Sequence, residues 1–342
     1  MGRSGMRRRD FLRGASILAA AATSVTWQQA IGTAGEQQTA RPAGPRASTR
    51  QFSLAYLTLY GCPPPEMTYI AGRAGYDFVS LRPIYMGLPG EPNFDLSANP
   101  QMLRQTKTAL ASTGLKVHDI ELARVADGTD PKKYLPELEV GAELGAKHVI
   151  SSIWTNDRVF AAECFDQLCD IAKPLGLTIS LEFVTFASVK TLREALDVLK
   201  ASRRTNCGVL VDMLHFSRSR VPLADLAQVP REWFHFVHLC DATAAIPTTT
   251  EELTRQAREE RLYPGEGAID IASVLQRIPN VPCSIEAPHA ARVKEMGFTE
   301  HAFRCLEAAK KFVAAHPATA TARWVTLHQC RPCARVPAVD RG

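Results

Sequence analysis

No apolar run in this 342-residue chain is long enough to cross a bilayer. The longest small, apolar stretch, residues 14–26 (GASILAAAATSVT), falls short of the roughly 20 residues a spanning helix needs. A phosphate-binding glycine loop between a strand and a helix is also missing. Pro264-Gly265-Glu266-Gly267 is glycine-rich but follows a loop, so it is no dinucleotide fingerprint. Without one, an open doubly wound sheet is the weaker fold reading. Cysteine metal modules are lacking as well. Cys330-x-x-Cys333 is the only close pair, and it has no second pair beside it. Finally, the body of the chain lacks a basic excess. The net charge of +5 comes from the ends, where residues 1–50 set eight Arg against Asp10 and Glu36, and residues 314–342 set four Arg against Asp340. Residues 51–313 carry 28 basic and 32 acidic side chains, which leaves nothing to attract a phosphate backbone.

What the amino terminus does have is an address. Residues 6–13 read MRRRDFLR, and the small apolar run follows. Arg8-Arg9-Asp10-Phe11-Leu12 resembles the core of a twin-arginine (Tat) export signal. That resemblance implies a signal over residues 1–27, recognition by the Tat machinery, and a periplasmic or extracellular protein. Residues 28–50 are rich in Gln, Ala, Thr, Gly and Pro without periodicity, and read as a linker. Residues 314–342 read as a disordered tail. Cys207, Cys240 and Cys283 lie in apolar runs, where cysteine acts as a small buried hydrophobe.

Between these ends, strand and helix patterns alternate. Short apolar runs fall at 52–59, 77–82, 115–122, 147–153, 177–183, 207–212, 234–240 and 281–286. Helical spacing separates them, as in Leu192, Leu196, Val198 and Leu199, or Phe165, Leu168, Cys169 and Ala172. Gly75, Gly114, Gly145 and Gly176 each close a helix just before a strand. Eight strand–helix units over 51–313 predict an α/β protein, a single-domain (β/α)8 TIM barrel.

Function in such a barrel gathers where the strands end. The fifth predicted strand ends at Glu182, the sixth at Asp212, the seventh at His238 and the eighth at Glu286. One acid after a strand is ordinary helix capping. Four such positions in consecutive strands are not, because three bare carboxylates in one mouth would repel each other unless a divalent cation offset them. Three carboxylates and one imidazole suit one Mn²⁺ or Mg²⁺ first, with Co²⁺ or Zn²⁺ as alternatives.

From these residues, with the Asp212-x-x-His215 pair and the Pro-Gly-Glu-Gly loop, residues 52–313 resemble the xylose-isomerase-like barrels, which include sugar isomerases and epimerases. The resemblance implies metal ligands Glu182, Asp212, His238 and Glu286, with His215 at the substrate and the 264–267 loop lining the mouth. It implies a hydroxy-ketone substrate, a ketose or keto-polyol, and an enediolate stabilised by the metal. Glu182 and Glu286 would then remove and return a proton on opposite faces of one carbon. Epimerisation, isomerisation and loss of a β-hydroxyl share that intermediate, so a metal-dependent lyase or dehydratase on an oxidised cyclic polyol or keto-glycoside is the main alternative. A non-catalytic sugar-binding barrel is another. An apurinic endonuclease would need a three-zinc cluster, more histidines and a basic face.

The chain departs from the ketohexose epimerases at two positions, Ser188 for Glu and Ala244 for Arg, which puts a simple ketohexose in doubt. Arg255, Arg258 and Arg261 lie in the long 241–267 loop. Arg261 is the candidate to replace that Arg, against the plain reading of a solvated charge run. Glu121 and His289 are further substrate-binding candidates. Arg82 and Arg124 stand as pocket or ion-pair residues, Trp154 and Phe186 as an apolar wall, and His118 and His148 as core or surface histidines. The expected partners are a small carbohydrate, the export machinery and, in a symmetric assembly, further copies of the chain. Nucleic acid and a stable membrane span are not expected.

Overall fold

The computed structural model describes residues 50–88 and 90–317. The twin-arginine pattern, most of the linker, and the Cys330/Cys333 tail lie outside the described residues.

Among the described residues, eight parallel strands close on themselves in chain order: β1 (Phe52–Leu54), β2 (Phe78–Leu81), β3 (Lys116–Val125), β4 (His148–Ile153), β5 (Thr178–Glu182), β6 (Cys207–Asp212), β7 (Phe234–Leu239) and β8 (Cys283–Ile285). The helices outside them are α1 (Pro64–Ala74), α2 (Pro100–Thr113), α3 (Leu135–Glu143), α4 (Arg158–Ala172), α5 (Leu192–Ser202), α6 (Met213–Arg218), α7 (Thr250–Glu259), α8 (Ile271–Arg277) and α9 (Ala290–Ala315). This is the expected (β/α)8 barrel. No described helix is long and apolar enough to cross a membrane.

Local chemistry explains the alternation. Gly75 and Gly114 take left-handed φ values of 85° and 73° after α1 and α2, reversing the chain into the next strand. Thr191 and Glu194 form a reciprocal capping box at the start of α5. The buried stripe Leu192, Ala195, Leu196 and Leu199 of α5 then joins Ile179, Leu181, Val209 and Val211 in one continuous core. The seven described cysteines are all buried free thiols, Cys207, Cys240 and Cys283 among them.

Two strands end three or more residues away from the sequence reading. β1 stops at Leu54, because the chain turns into a 3-10 segment at Tyr56–Leu59. The Thr58 hydroxyl holds that turn, donating to the Ile285 carbonyl (2.7 Å) and accepting from the Ala287 N–H (3.0 Å). β3 runs on to Val125, with register shifts along both its ladders, so Glu121 and Arg124 lie within the strand instead of ending and following it.

Imidazoles fill the N-terminal end of the barrel. His148 stacks on His235 (4.9 Å, 13°) and lies 5.0 Å from His118, which meets the edge of Phe236. Their Nδ1 atoms sit 2.6 Å from Thr178 Oγ1 (His148), 2.9 Å from Ser180 Oγ (His235) and 3.0 Å from Asp119 Oδ1 (His118). Gly208 leaves room for this plug: a Cβ there would lie 2.3 Å from the Trp233 carbonyl and 2.8 Å from the His235 ring. Burial, with the like charge of neighbouring imidazoles, pushes His148 down to about 2 and His235 to about 4, from an ordinary 6.5. A depressed histidine contributes stability that is intact above the unfolded value and lost as pH falls toward the folded one. At about 1.4 kcal/mol per unit, His235 alone accounts for roughly 3 kcal/mol across that window. The melting temperature is therefore expected to fall steeply between about pH 6.5 and pH 4. A His148→Gln, His235→Gln variant should show a shallower acid limb; an unchanged limb would remove the plug as its cause.

Candidate metal centre

The strand register delivers four donors to one level. Asp212 ends β6 opposite His238 of β7, which in turn faces Ser284 of β8, two residues before Glu286. Glu182 ends β5 opposite Leu210. One donor atom from each of Glu182, Asp212, His238 and Glu286 falls within 4.8 Å of all the others, and all four residues are buried. Glu182 and Glu286 line a cavity of about 740 Å³ at the C-terminal mouth of the barrel, with Asp212 and His238 buried behind them.

The four do not satisfy one another. His238 Nδ1 lies 3.3 Å from Glu182 Oε1 and 3.2 Å from Glu286 Oε2, distances suited to hydrogen bonds. Yet neither His238 nitrogen, nor Glu182 Oε1, has a hydrogen bond of proper geometry. Burying such atoms unpartnered costs about 1–3 kcal/mol each. Donors aimed at a common point instead of at each other are what a cation site requires. Oxygen and imidazole donors fit a divalent ion.

Arg261 lies against the same cluster. The sequence reading set it at the substrate, but most of its N–H groups are committed to protein. Nη1 donates to Asp212 Oδ2 (2.5 Å), Nη2 lies 2.9 Å from Glu286 Oε2, and Nε donates to the Ala257 carbonyl (2.7 Å). Burial pushes Glu286 up, but the cationic His238 and Arg261 outweigh it and hold its carboxyl well below the usual range. Glu182 has no such arginine. Burial pushes it up to about 7, against the opposing pull of His238. Burial pulls His238 down, and Glu286 with Glu182 more than reverses that.

The other expected residues sort by position. His215, in the first turn of α6, lines the cavity, and burial lowers it to about 4. Its Nδ1 accepts from the Thr185 N–H (3.4 Å), so the neutral ring carries its proton on Nε2, as a donor for the cavity. Glu121 and His289 line the cavity too. Glu121 is paired with Arg82 (3.0 Å), and burial raises its carboxyl; His289 caps the start of α9. Trp154 and Phe186 form part of the wall, 5.9 Å apart, and Arg124 packs over the Trp154 ring. Ser188 donates to the Trp154 carbonyl (2.8 Å), and Ala244 is exposed.

The 264–267 loop differs from expectation, since none of its residues lines the cavity. Buried Asp241 ties it down, accepting from the N–H groups of Gly265 (3.0 Å), Gly267 (2.9 Å) and Ile269 (3.0 Å). A Cβ at Gly267 would lie 2.4 Å from Asp241 Oδ1. The loop thus fixes the segment before it, and Ala257, Arg258, Glu259 and Arg261 of that segment reach the cavity. Sequence reasoning missed the walls from the loops after β1 and β2: Leu57, Tyr60, Met86 and Leu88. Those loops carry no periodicity that would mark which side chains face inward.

Comparison with known proteins agrees with this architecture. The family model described as xylose isomerase-like TIM barrel matches residues 69–309. An inosose isomerase of Bacillus velezensis is 28% identical over 250 residues, covering 67% of this chain and 78% of that protein. A 3-dehydroshikimate dehydratase of Pseudomonas aeruginosa is 24% identical over 262 residues, covering 72% of this chain and 38% of that protein. Among solved structures, the IOLI protein with a bound zinc atom superposes with a TM-score of 0.65 at 19% identity, over 79% of this chain and all of that one, a likeness of fold. The chain belongs to the xylose isomerase-like TIM barrel family.

Proposed function

We propose that this protein is a divalent-metal-dependent enzyme of the sugar isomerase or lyase kind, which moves a proton at the carbon beside the carbonyl of a polyhydroxylated ketone. The observation that carries the reading is the pair Glu182 and Glu286, whose carboxylates both lie beside one buried imidazole nitrogen, 3.3 and 3.2 Å from His238 Nδ1, and both line a substrate-sized cavity. The inosose isomerase and dehydratase relatives support the same class.

Glu182, Asp212, His238 and Glu286 would hold the ion, which when bound supplies Lewis-acid polarisation of the carbonyl. The rest falls to side chains of this chain. One of Glu182 and Glu286 takes the proton and the other returns it; Arg261 stands beside Glu286 and not beside Glu182, so the two carboxylates differ in their surroundings as two such roles require. The Nε2–H of His215 donates to a substrate oxygen. Arg261 holds Asp212 and Glu286 in orientation. Trp154 and Phe186 shield one face of the ring from water.

The test is incubation of the Mn²⁺-loaded protein in D₂O with inososes and ketoses, read by mass spectrometry. One deuterium at the carbon beside the carbonyl is expected for at least one of them. No uptake from any would overturn the reading. The dehydratase relative also favours a second outcome, loss of water after the same proton abstraction, which shows as a new enone absorbance.

A further inference from the structure

The arginine run in the loop after β7 divides three ways. Arg255 is exposed and paired with Glu260 (3.1 Å), and Arg261 is buried against Asp212 and Glu286. Arg258, on the last turn of α7, is half-buried and lines the cavity, yet it forms neither a hydrogen bond nor an ion pair among the described residues. The charges that act on it most strongly are other guanidiniums. Burial lowers its proton affinity first, and the like charges of Arg82 and Arg124 lower it further, against weaker pulls from Tyr60 and Glu91.

A second cation on the same cavity is also under-used. Arg82 is buried and donates through Nη2 to Glu121 (3.0 Å), while its Nη1 stands 3.6 Å from Glu91. Neither its Nε nor its Nη1 has a hydrogen-bond partner. Three guanidiniums (Arg82, Arg124, Arg258) and two buried carboxylates (Glu91, Glu121) therefore gather on this side, and one lysine and one glutamate, Lys294 and Glu259, line the exposed rim. One positive charge has no counterpart. A desolvated charge without one is costly, so the surplus marks a place for an anion.

We propose that the substrate carries a carboxylate, held by Arg258 in the field of the buried Arg82 cation, so that the protein acts on a keto-polyol acid instead of a neutral ketose. This rests on the proton-transfer reading above and adds the substrate class. A single surplus charge and a planar fork match a carboxylate, which guanidinium binds through two parallel hydrogen bonds. A phosphate dianion would bring a second negative charge that a single surplus cation does not offset.

Calorimetric titration of the Mn²⁺-loaded protein with matched pairs tests this: D-fructuronate against D-fructose, and 3-dehydroquinate against its methyl ester. The acid of each pair is expected to bind at least about tenfold more tightly than its neutral partner, with the preference weakening in 0.5 M NaCl. In Arg258→Met the acid-to-neutral ratio should collapse toward one, in Arg258→Lys it should be partly retained, and in Arg255→Met it should match wild type. Metal content and melting temperature confirm that each variant is folded and loaded. Equal affinity within the pairs, no measurable affinity for either acid, or a preference that survives Arg258→Met would overturn the proposal. Deuterium uptake is scored separately on the same samples. Uptake into neutral ketones without acid preference defeats the carboxylate proposal and leaves the proton-transfer reading standing. Arg258-dependent acid binding without any uptake does the reverse.

Discussion

Glu286→Gln is expected to emerge from purification without bound divalent metal and to lose at least about a thousandfold in deuterium exchange, the upper range for removing an acid–base group. Two roles fail together. As a donor, Glu286 offers an oxygen to the common point shared with Glu182, Asp212 and His238. The amide keeps one oxygen but loses the charge that draws a cation. Its NH₂ would also face Arg261 Nη2, which lies 2.9 Å from Oε2, so a donor would meet a donor. Glu182→Gln is the instructive comparison. Glu182 Oε1 has no hydrogen-bond partner and no arginine beside it, so the amide should fit with less disturbance. That variant is expected to lose exchange to a similar degree while keeping a weakened affinity for Mn²⁺. The checks are metal content by elemental analysis and exchange by mass spectrometry. A Glu286→Gln protein with a full metal complement and more than about a tenth of wild-type exchange would remove Glu286 from both roles.

The parts of this molecule that could be read from the sequence are those governed by local rules. Gly75 and Gly114 mark helix ends because a left-handed residue is needed where each chain segment turns back into the sheet. Glu182, Asp212, His238 and Glu286 stand out because each interrupts or ends an apolar strand, and parallel register carries them to one mouth. What could not be read depends on shape instead of period. Arg124 looked like a loop residue because β3 continues through shifted register to Val125. The charge run Arg255, Arg258 and Arg261 singled out Arg261 by its closeness to the 264–267 loop but did not show how the three divide. Its members meet surface, cavity and buried carboxylates respectively only because the Asp241-anchored loop sets the angle of the segment. His235 gave no signal of its own, since its meeting with His148 across the barrel needs the closure of the sheet.

Arg261→Met is expected to lower the melting temperature of the chelator-treated protein by about 10 °C, and by less than half as much when the protein is saturated with Mn²⁺. The buried guanidinium has Asp212 Oδ2 at 2.5 Å and Glu286 Oε2 at 2.9 Å. Removing one partner from a buried ion pair costs about 3–5 kcal/mol, because the remaining charge is left uncompensated. At roughly 2–4 °C per kcal/mol for a domain of this size, the melting point should move by the stated amount. Metal-free, three carboxylates face only His238 and Arg261 as cations, so deleting Arg261 leaves the cluster short of positive charge. A divalent cation at the same donors would offset the same carboxylates, so the two stabilising effects overlap and should not add. Arg261→Lys should fall between the two, since it keeps the charge but lacks the fork that also reaches the Ala257 and Glu286 carbonyls. Scanning calorimetry of both variants, with chelator and with Mn²⁺, reads the coupling directly. Equal losses in the two conditions would mean that Arg261 supports the fold through its carbonyl contacts alone, and that its charge does not act on the metal centre.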